Sequence, residues 1–342
     1  MRKFRIISLS LLSSMLIFAT VHSQTIRVKE YPAYNLKKSV PKGSYSGIAK
    51  LDGDTYGVVC DKGSRDGYFK FRIDIDPDSG YIRSVENLGF MSGTTSNRDN
   101  ECIAYNPTTE KVYIGGERNN TILEYDLNGK ATGFRSGNLL PDAHENYGIE
   151  SLCYDKSRGS FWLMSESTLA NDNYGNYSTS TNLVSNLLRL SQYDNGFKKM
   201  REYAYKMDTP QSYKKSSKYC NGVSDIAVLD DGRLLILERE AYVSKGRYGS
   251  WCTCKIYIVN PSQSQPVGSS PLTSSSPFMD KTLLWETHTE MSLRDFYWAN
   301  YEGMCLGPKL SDGSQTLLLI SDSEERYGGV LKDWLKVLVI KV

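Results

Sequence analysis

Acidic residues recur in pairs along the chain, one opening and one closing a short apolar stretch. Glu101 precedes Glu117, Glu150 precedes Glu166, Asp225 precedes Glu238, and Glu302 precedes Asp322. A fifth stretch opens without an acid at Ser46-Gly47-Ile48 and closes on Asp61. Carboxylates gathered at equivalent points of a repeated unit repel one another unless a cation or water lies between them. The expected metal ligands are therefore Asp61, Glu101, Glu117, Glu150, Glu166, Asp225, Glu238, Glu302 and Asp322. An all-oxygen set suits Ca2+, which takes about six to eight oxygen ligands in flexible geometry. Zinc fits poorly. After the N-terminal leader only His144 and His288 remain as histidines, and Cys252-Thr253-Cys254 has no second pair at zinc spacing.

Such a site could run metal-assisted hydrolysis of a phosphoester. The cation would polarise a phosphoryl oxygen, and a carboxylate among Glu101, Glu150 and Glu302 would act as general base. Arg118 or Arg239 would offset the phosphate charge, and His144, shortly before Glu150, is a candidate general acid. Each has a plainer alternative. A strand-end Glu also caps backbone amides, an Arg pairs with a neighbouring acid, and a loop His sits at the surface. Other chemistries lack their residues: there is no Gly-x-Ser-x-Gly elbow, phosphate-binding glycine loop or dinucleotide fingerprint.

The elements that must position these acids read as strands. Val112-Tyr113-Ile114, Phe161-Trp162-Leu163-Met164, Leu234 to Leu237 and Thr316 to Ile320 are short apolar runs closed by an acid. Turns follow at Asp76-Pro77-Asp78-Ser79-Gly80, Asn128-Gly129 and Asp230-Asp231-Gly232. Each unit supplies at least three strands, and a fourth falls before the next unit. Openings at 47, 101, 150, 225 and 302 are spaced at about 50 residues and then more widely, near the length of a propeller blade. The wider steps carry an Asn/Tyr/Ser-rich insert at 171–182 and a Ser/Pro-rich loop at 262–277. The expected fold is all-β, a β-propeller of five or six blades, with the extended segment 24–45 supplying a strand that closes the ring.

The N-terminus reads as a signal peptide, residues 1–23. Arg2, Lys3 and Arg5 precede an apolar run, and Val21-His22-Ser23 offers a cleavage site. Residues 24–342 are then a single domain, secreted or periplasmic and monomeric. Removing those three basic residues from 41 leaves 38 against 39 acidic, so no basic surface for nucleic acid is expected. No later stretch is apolar enough to insert in a membrane. Of the 7 cysteines, Cys60, Cys102, Cys153 and Cys305 read as small core residues, and Cys220, Cys252 and Cys254 as the disulfide candidates, in no assignable pairing.

The five acid-bearing stretches resemble the phytase-like domain family, also called esterase-like phytase proteins. They are Ser46-Gly47-Ile48 with Asp61; Asp99-Asn100-Glu101 with Gly116-Glu117; Asn146 to Leu152 with Ser165-Glu166; Asp231 to Arg239; and Asn300 to Met304 with Leu319-Ile320-Ser321-Asp322. The resemblance spans nearly all of 44–342. It implies a secreted or periplasmic propeller whose recurrent Glu and Asp residues form the site, and its name suggests phosphoester hydrolysis of a small phosphorylated substrate. The family's Asn after the final Ser-Asp is replaced by Ser323. The competing reading is a non-catalytic propeller that binds a glycan, peptide or protein, with Tyr174, Tyr177, Trp251, Tyr297 and Trp298 available to stack on a sugar.

Overall fold

The computed structural model describes residues 26–145, 147–172, 186–210, 219–246, 248–292 and 297–341, with backbone alone at 93–95. The signal peptide expected at 1–23, and Asn146, Tyr174 and Tyr177, lie outside the described residues.

Two strands precede the first repeat, β1 (Arg27–Glu30) and β2 (Tyr34–Asn35). The first blade is β3 (Tyr45–Lys50), β4 (Thr55–Cys60), β5 (Arg65–Ile75) and β6 (Ile82–Ser96). The second is β7 (Asn100–Asn106), β8 (Lys111–Gly116), β9 (Thr121–Tyr125) and β10 (Ala131–Arg135). The third is β11 (Ile149–Asp155), β12 (Ser160–Ser165), β13 (Leu187–Tyr193) and β14 (Lys199–Lys206). The fourth is β15 (Tyr219–Val228), β16 (Leu234–Tyr242), β17 (Trp251–Val259) and β18 (Lys281–Glu290). The fifth holds β19 (Asn300–Lys309), β20 (Gln315–Asp322) and β21 (Trp334–Lys341), and β1 pairs antiparallel with β21 as its outer strand. The ring therefore has five blades, and the N-terminal segment closes it on the C-terminal strand.

The alternation of each strand explains the closure. Successive side chains face opposite sides of a blade, so every blade buries one face against each neighbour. Five apolar clusters fill the gaps between neighbouring blades, with Val58 and Leu318 between the first and fifth and Leu237 and Leu338 between the fourth and fifth. The inner strands β3, β7, β11, β15 and β19 each pack against the inner strands of both neighbours and line the axis. They approach closely where β19 meets β3. A Cβ at Gly303 would lie 2.9 Å from the Ile48 nitrogen and 2.7 Å from the Ile320 methyl.

The long loop at 262–277 folds back against the third blade through a bridge between Tyr203 and Pro266. Among the described residues, no helix is long and apolar enough to cross a membrane.

Candidate functional site

Every inner strand carries a bulge at the same height. The pairing with the second strand of the blade slips between Tyr45 and Gly47, Asn100 and Cys102, Ile149 and Ser151, Val223 and Asp225, and Tyr301 and Gly303. The extra residue is Ser46, Glu101, Glu150, Ser224 and Glu302 in turn. A bulge re-aims its side chain and strengthens the local twist. Opposite it, along the second strand or just past its end, equivalent register positions hold Asp61, Glu117, Glu166, Arg239 and Asp322.

This register corrects the equivalence expected in the fourth blade. Asp225 stands one residue past the bulge and Glu238 one residue before the closing position, so strand alternation turns both to another face. Asp225 is buried and accepts from the amides of Ile226 at 2.8 Å and Met304 at 2.6 Å, tying the fourth inner strand to the fifth. Glu238 accepts from the Tyr205 hydroxyl, the Asp208 amide and Lys281 Nζ. Neither lines the mouth of the channel. The equivalent positions are filled by Ser224, which is buried and donates to the Tyr301 carbonyl, and by Arg239, which lines the mouth.

The mouth is a cavity of about 500 Å³. Its walls include Asp61, Glu101, Glu117, Glu150, Glu166, Glu302 and Asp322, with Arg239, Asn300, Trp298 and Tyr327. Carboxylate oxygens converge in two places. Glu117, Glu150 and Glu166 bring one oxygen each within 4.8 Å of one another, and so do Asp61, Asp99 and Glu101. Arg239 Nη1 donates to Glu302 Oε1, and Nη2 reaches Glu166 Oε1 at 2.9 Å and Glu150 Oε1 at 3.4 Å. Asn300 also donates to Glu302, at 2.6 Å. Glu117 accepts from the Gly148 amide at 2.7 Å, and Asp322 from the Glu324 amide at 2.7 Å.

Residues 40–324 match the family model described as Phytase-like, esterase-like activity of phytase. The chain belongs to this phytase-like family. No curated protein matches it. Among solved structures it is similar to an endo-arabinase from Bacteroides thetaiotaomicron VPI-5482, with 12% identity over 89% of this chain and 95% of that one and a TM-score of 0.47. It is also similar to the PQQ-bound aldose sugar dehydrogenase from Streptomyces coelicolor (12%, 93% and 99%, TM-score 0.42) and to a streptogramin B lyase (13%, 92% and 98%, TM-score 0.38). Likenesses this loose do not bear on the reaction of the phytase-like chain.

Crowding is written into the acidities of the phytase-like mouth. Burial, then the charges of Asp61, Glu117 and Asp99, hold Glu101 well above the usual carboxylate range. Burial and the charge of Glu166 do the same to Glu150. Glu166 is raised by burial and partly relieved by Arg239. Burial pushes Glu117 and Asp322 up to about 7 and Asp61 to about 6, against relief from the Gly148 amide, the Glu324 amide and Lys62 respectively. These acids gain little from protein partners and are short of positive charge.

The other expected site residues fall outside this wall. Arg118 is exposed at the rim and reaches Asp99 at 3.4 Å. His144 is half-buried before β11, does not line the cavity, and is lowered in pKa by burial. Of the described aromatic candidates, Trp298 lines the mouth, whereas Trp251 stacks on His288 and Tyr297 bonds the Tyr301 hydroxyl. Ser323 is buried and serves its own loop, bonding Asp333 and accepting from the Arg326 amide at 2.9 Å. All seven cysteines are free thiols. Cys252 and Cys254 approach to 3.7 Å, and Cys220 sits on the cavity wall.

Asp99 is the ligand candidate that the acid-pair pattern omits. It holds a left-handed backbone (φ 61°) just before β7, which turns it into the space of Asp61 and Glu101. The cue was the Asp-Asn dipeptide at the strand start, since both residues tolerate that conformation.

Proposed function

We propose that this phytase-like chain is a secreted, divalent-cation-dependent phosphoester hydrolase, with Ca2+ the expected ion and the acidic mouth its site. The observation that carries the reading is the convergence of two three-carboxylate sets at one cavity, whose described lining takes five of those six acids and a single arginine. An anionic ester could not enter such a mouth without positive charge to meet it, and the hard-oxygen donor set suits Ca2+. Asp61, Asp99 and Glu101 would hold one ion, and Glu117, Glu150 and Glu166 another. A bound ion supplies charge compensation and Lewis acidity toward a phosphoryl oxygen.

The chain's own residues would do the rest. Glu302, fixed by Asn300 and Arg239, stands on a bulge across that arginine from Glu150 and Glu166 and is suited to take a proton from water. Trp298 and Tyr327 form the less polar part of the wall and would exclude water from one side of the ester. Arg118 at the exposed rim would draw an anion toward the mouth.

A second reading has one observation in its favour. Glu117 already spends an oxygen on the Gly148 amide of the next blade, so a cation here could simply fasten blades together in a propeller that binds a glycan, peptide or protein. Turnover of chromogenic phosphomonoesters, phosphodiesters and phytate, measured in Ca2+ and then in chelator, separates the two. Activity that disappears in chelator and in Glu302→Gln supports hydrolysis. No turnover, together with a large fall in Tm in chelator, leaves a structural ion.

A further inference from the structure

Four blades place a mouth carboxylate at the same register position of the second-strand segment, and the fourth places Arg239 there. Its side chain is only 9% exposed and lies among the carboxylates of Glu150, Glu166 and Glu302, contributed by the third and fifth blades. The approach is shaped by Gly222, the register partner of Arg239. A Cβ there would lie 2.5 Å from Glu166 Cγ, so the missing side chain lets Glu166 lie across β15 and reach the guanidinium.

Two further facts define what the arginine does. First, Glu150 and Glu166, which share its Nη2, are two of the three acids of one convergent set, whereas it makes no hydrogen bond to Asp61, Asp99 or Glu101. Second, its buried Nε has no acceptor among the described residues. A guanidinium in a site built for it would use all its donors. This one is satisfied at Nη1 by Glu302 and at Nη2 by oxygens that a cation in the Glu117–Glu150–Glu166 set would also need.

We propose that Arg239 is a resident counter-charge that competes with a divalent cation for the Glu117–Glu150–Glu166 set. The cation enters there only when the guanidinium leaves Glu150 and Glu166. The set of Asp61, Asp99 and Glu101 fills without that exchange. The two sets are therefore unequal, and the fourth blade makes them so. This inference rests on the reading of the mouth as a cation site, but it does not require hydrolysis.

Ca2+ titration by calorimetry tests it on the full chain. To weaken the other set, variants are compared in an Asp99→Gly background, a change the left-handed backbone at that position accepts and that leaves no side-chain oxygen there to bind Ca2+. Adding Arg239→Met should tighten Ca2+ binding by at least about tenfold. It should also lower Tm without Ca2+ and enlarge the Ca2+-induced rise. A merely structural arginine would lower Tm equally in both conditions. Unchanged or weaker binding, or no binding by either protein, overturns the proposal. Lys62→Met removes a rim charge of the same sign and should change affinity less than about twofold. An equal gain from it would reduce the effect to long-range attraction and also overturn the proposal. Should Arg239→Met not fold, Arg239→Lys, which cannot span three carboxylates, should still bind about threefold tighter, and no gain overturns the proposal. Failure of the hydrolase reading would show separately, as absent phosphoester turnover by a wild-type chain that binds Ca2+.

Discussion

Arg239 stands at the register position in the fourth blade that Glu166 holds in the third, and the two side chains meet at 2.9 Å. Neighbouring blades thus present opposite charges from equivalent backbone positions. The repeat supplies the geometry, and one substitution within it decides where positive charge enters the mouth.

Glu101 lies in the opposite half of the mouth, crowded by Asp61, Glu117 and Asp99 with no direct cationic partner among the described residues. Glu101→Gln should therefore stabilise the cation-free chain, by about 1 kcal/mol, since it removes one of several like charges. The same change removes a ligand, so Ca2+ should raise the Tm of the variant less than that of the wild type. Thermal melts in chelator and in Ca2+ check both halves. A variant that is less stable in chelator would show that Glu101 makes a structural contact worth more than the repulsion.

The repeated acids and the strand runs were legible in the sequence because the Glu residues mark bulges and each short continuous apolar run is a strand buried on both faces. Glu101, Glu150 and Glu302 could be aligned on spacing alone. The fourth blade could not, because Ser224-Asp225 and Glu238-Arg239 each put an acid one residue away from the equivalent position. Spacing cannot distinguish a residue from its neighbour, whereas a strand sends the two to opposite faces. Blade number was open for a related reason. The outer strand of the fifth blade is β1, which lies about 300 residues from its partner β21 and whose one acid, Glu30, pairs with Lys336 rather than lining the mouth.

Asp225 illustrates how such a near-miss matters. It holds two amides across the fourth and fifth inner strands. Asp225→Ala should leave both donors unsatisfied in a buried site and cost about 2–4 kcal/mol. Urea unfolding should show a lower midpoint, while Ca2+ affinity of the folded chain stays within about twofold of wild type. A large loss of Ca2+ binding without loss of stability would return Asp225 to the ligand set.

Gly303 tests the packing that brings the inner strands together. A methyl group there meets backbone of β3 at 2.9 Å and 3.0 Å as well as Ile320. Backbone cannot rotate aside, so Gly303→Ala should cost about 1–3 kcal/mol by overpacking. Because Glu302 is the adjacent residue, turnover should fall with it. Unchanged stability would mean that the fifth and first blades can part at little cost.

The pH dependence of stability should run opposite to that of most proteins. Asp61, Glu117 and Asp322 have folded pKa values of about 6, 7 and 7, above their unfolded values near 4. Between those limits the folded chain binds more protons than the unfolded one, so unfolding releases protons and stability falls as pH rises. Asp155 and Asp208, whose pKa values are lowered by hydrogen bonds from Ser157 and Lys255 against the cost of burial, contribute stability that is complete above about pH 4.5 and do not mask the trend. In chelator, Tm should thus drop by several degrees from pH 5 to pH 8. Saturating Ca2+ should flatten or reverse the slope, because an ion stabilises the charged carboxylates and its own binding strengthens as they deprotonate. A Tm in chelator that rises steadily with pH over this range would mean that the mouth acids are already compensated within the protein.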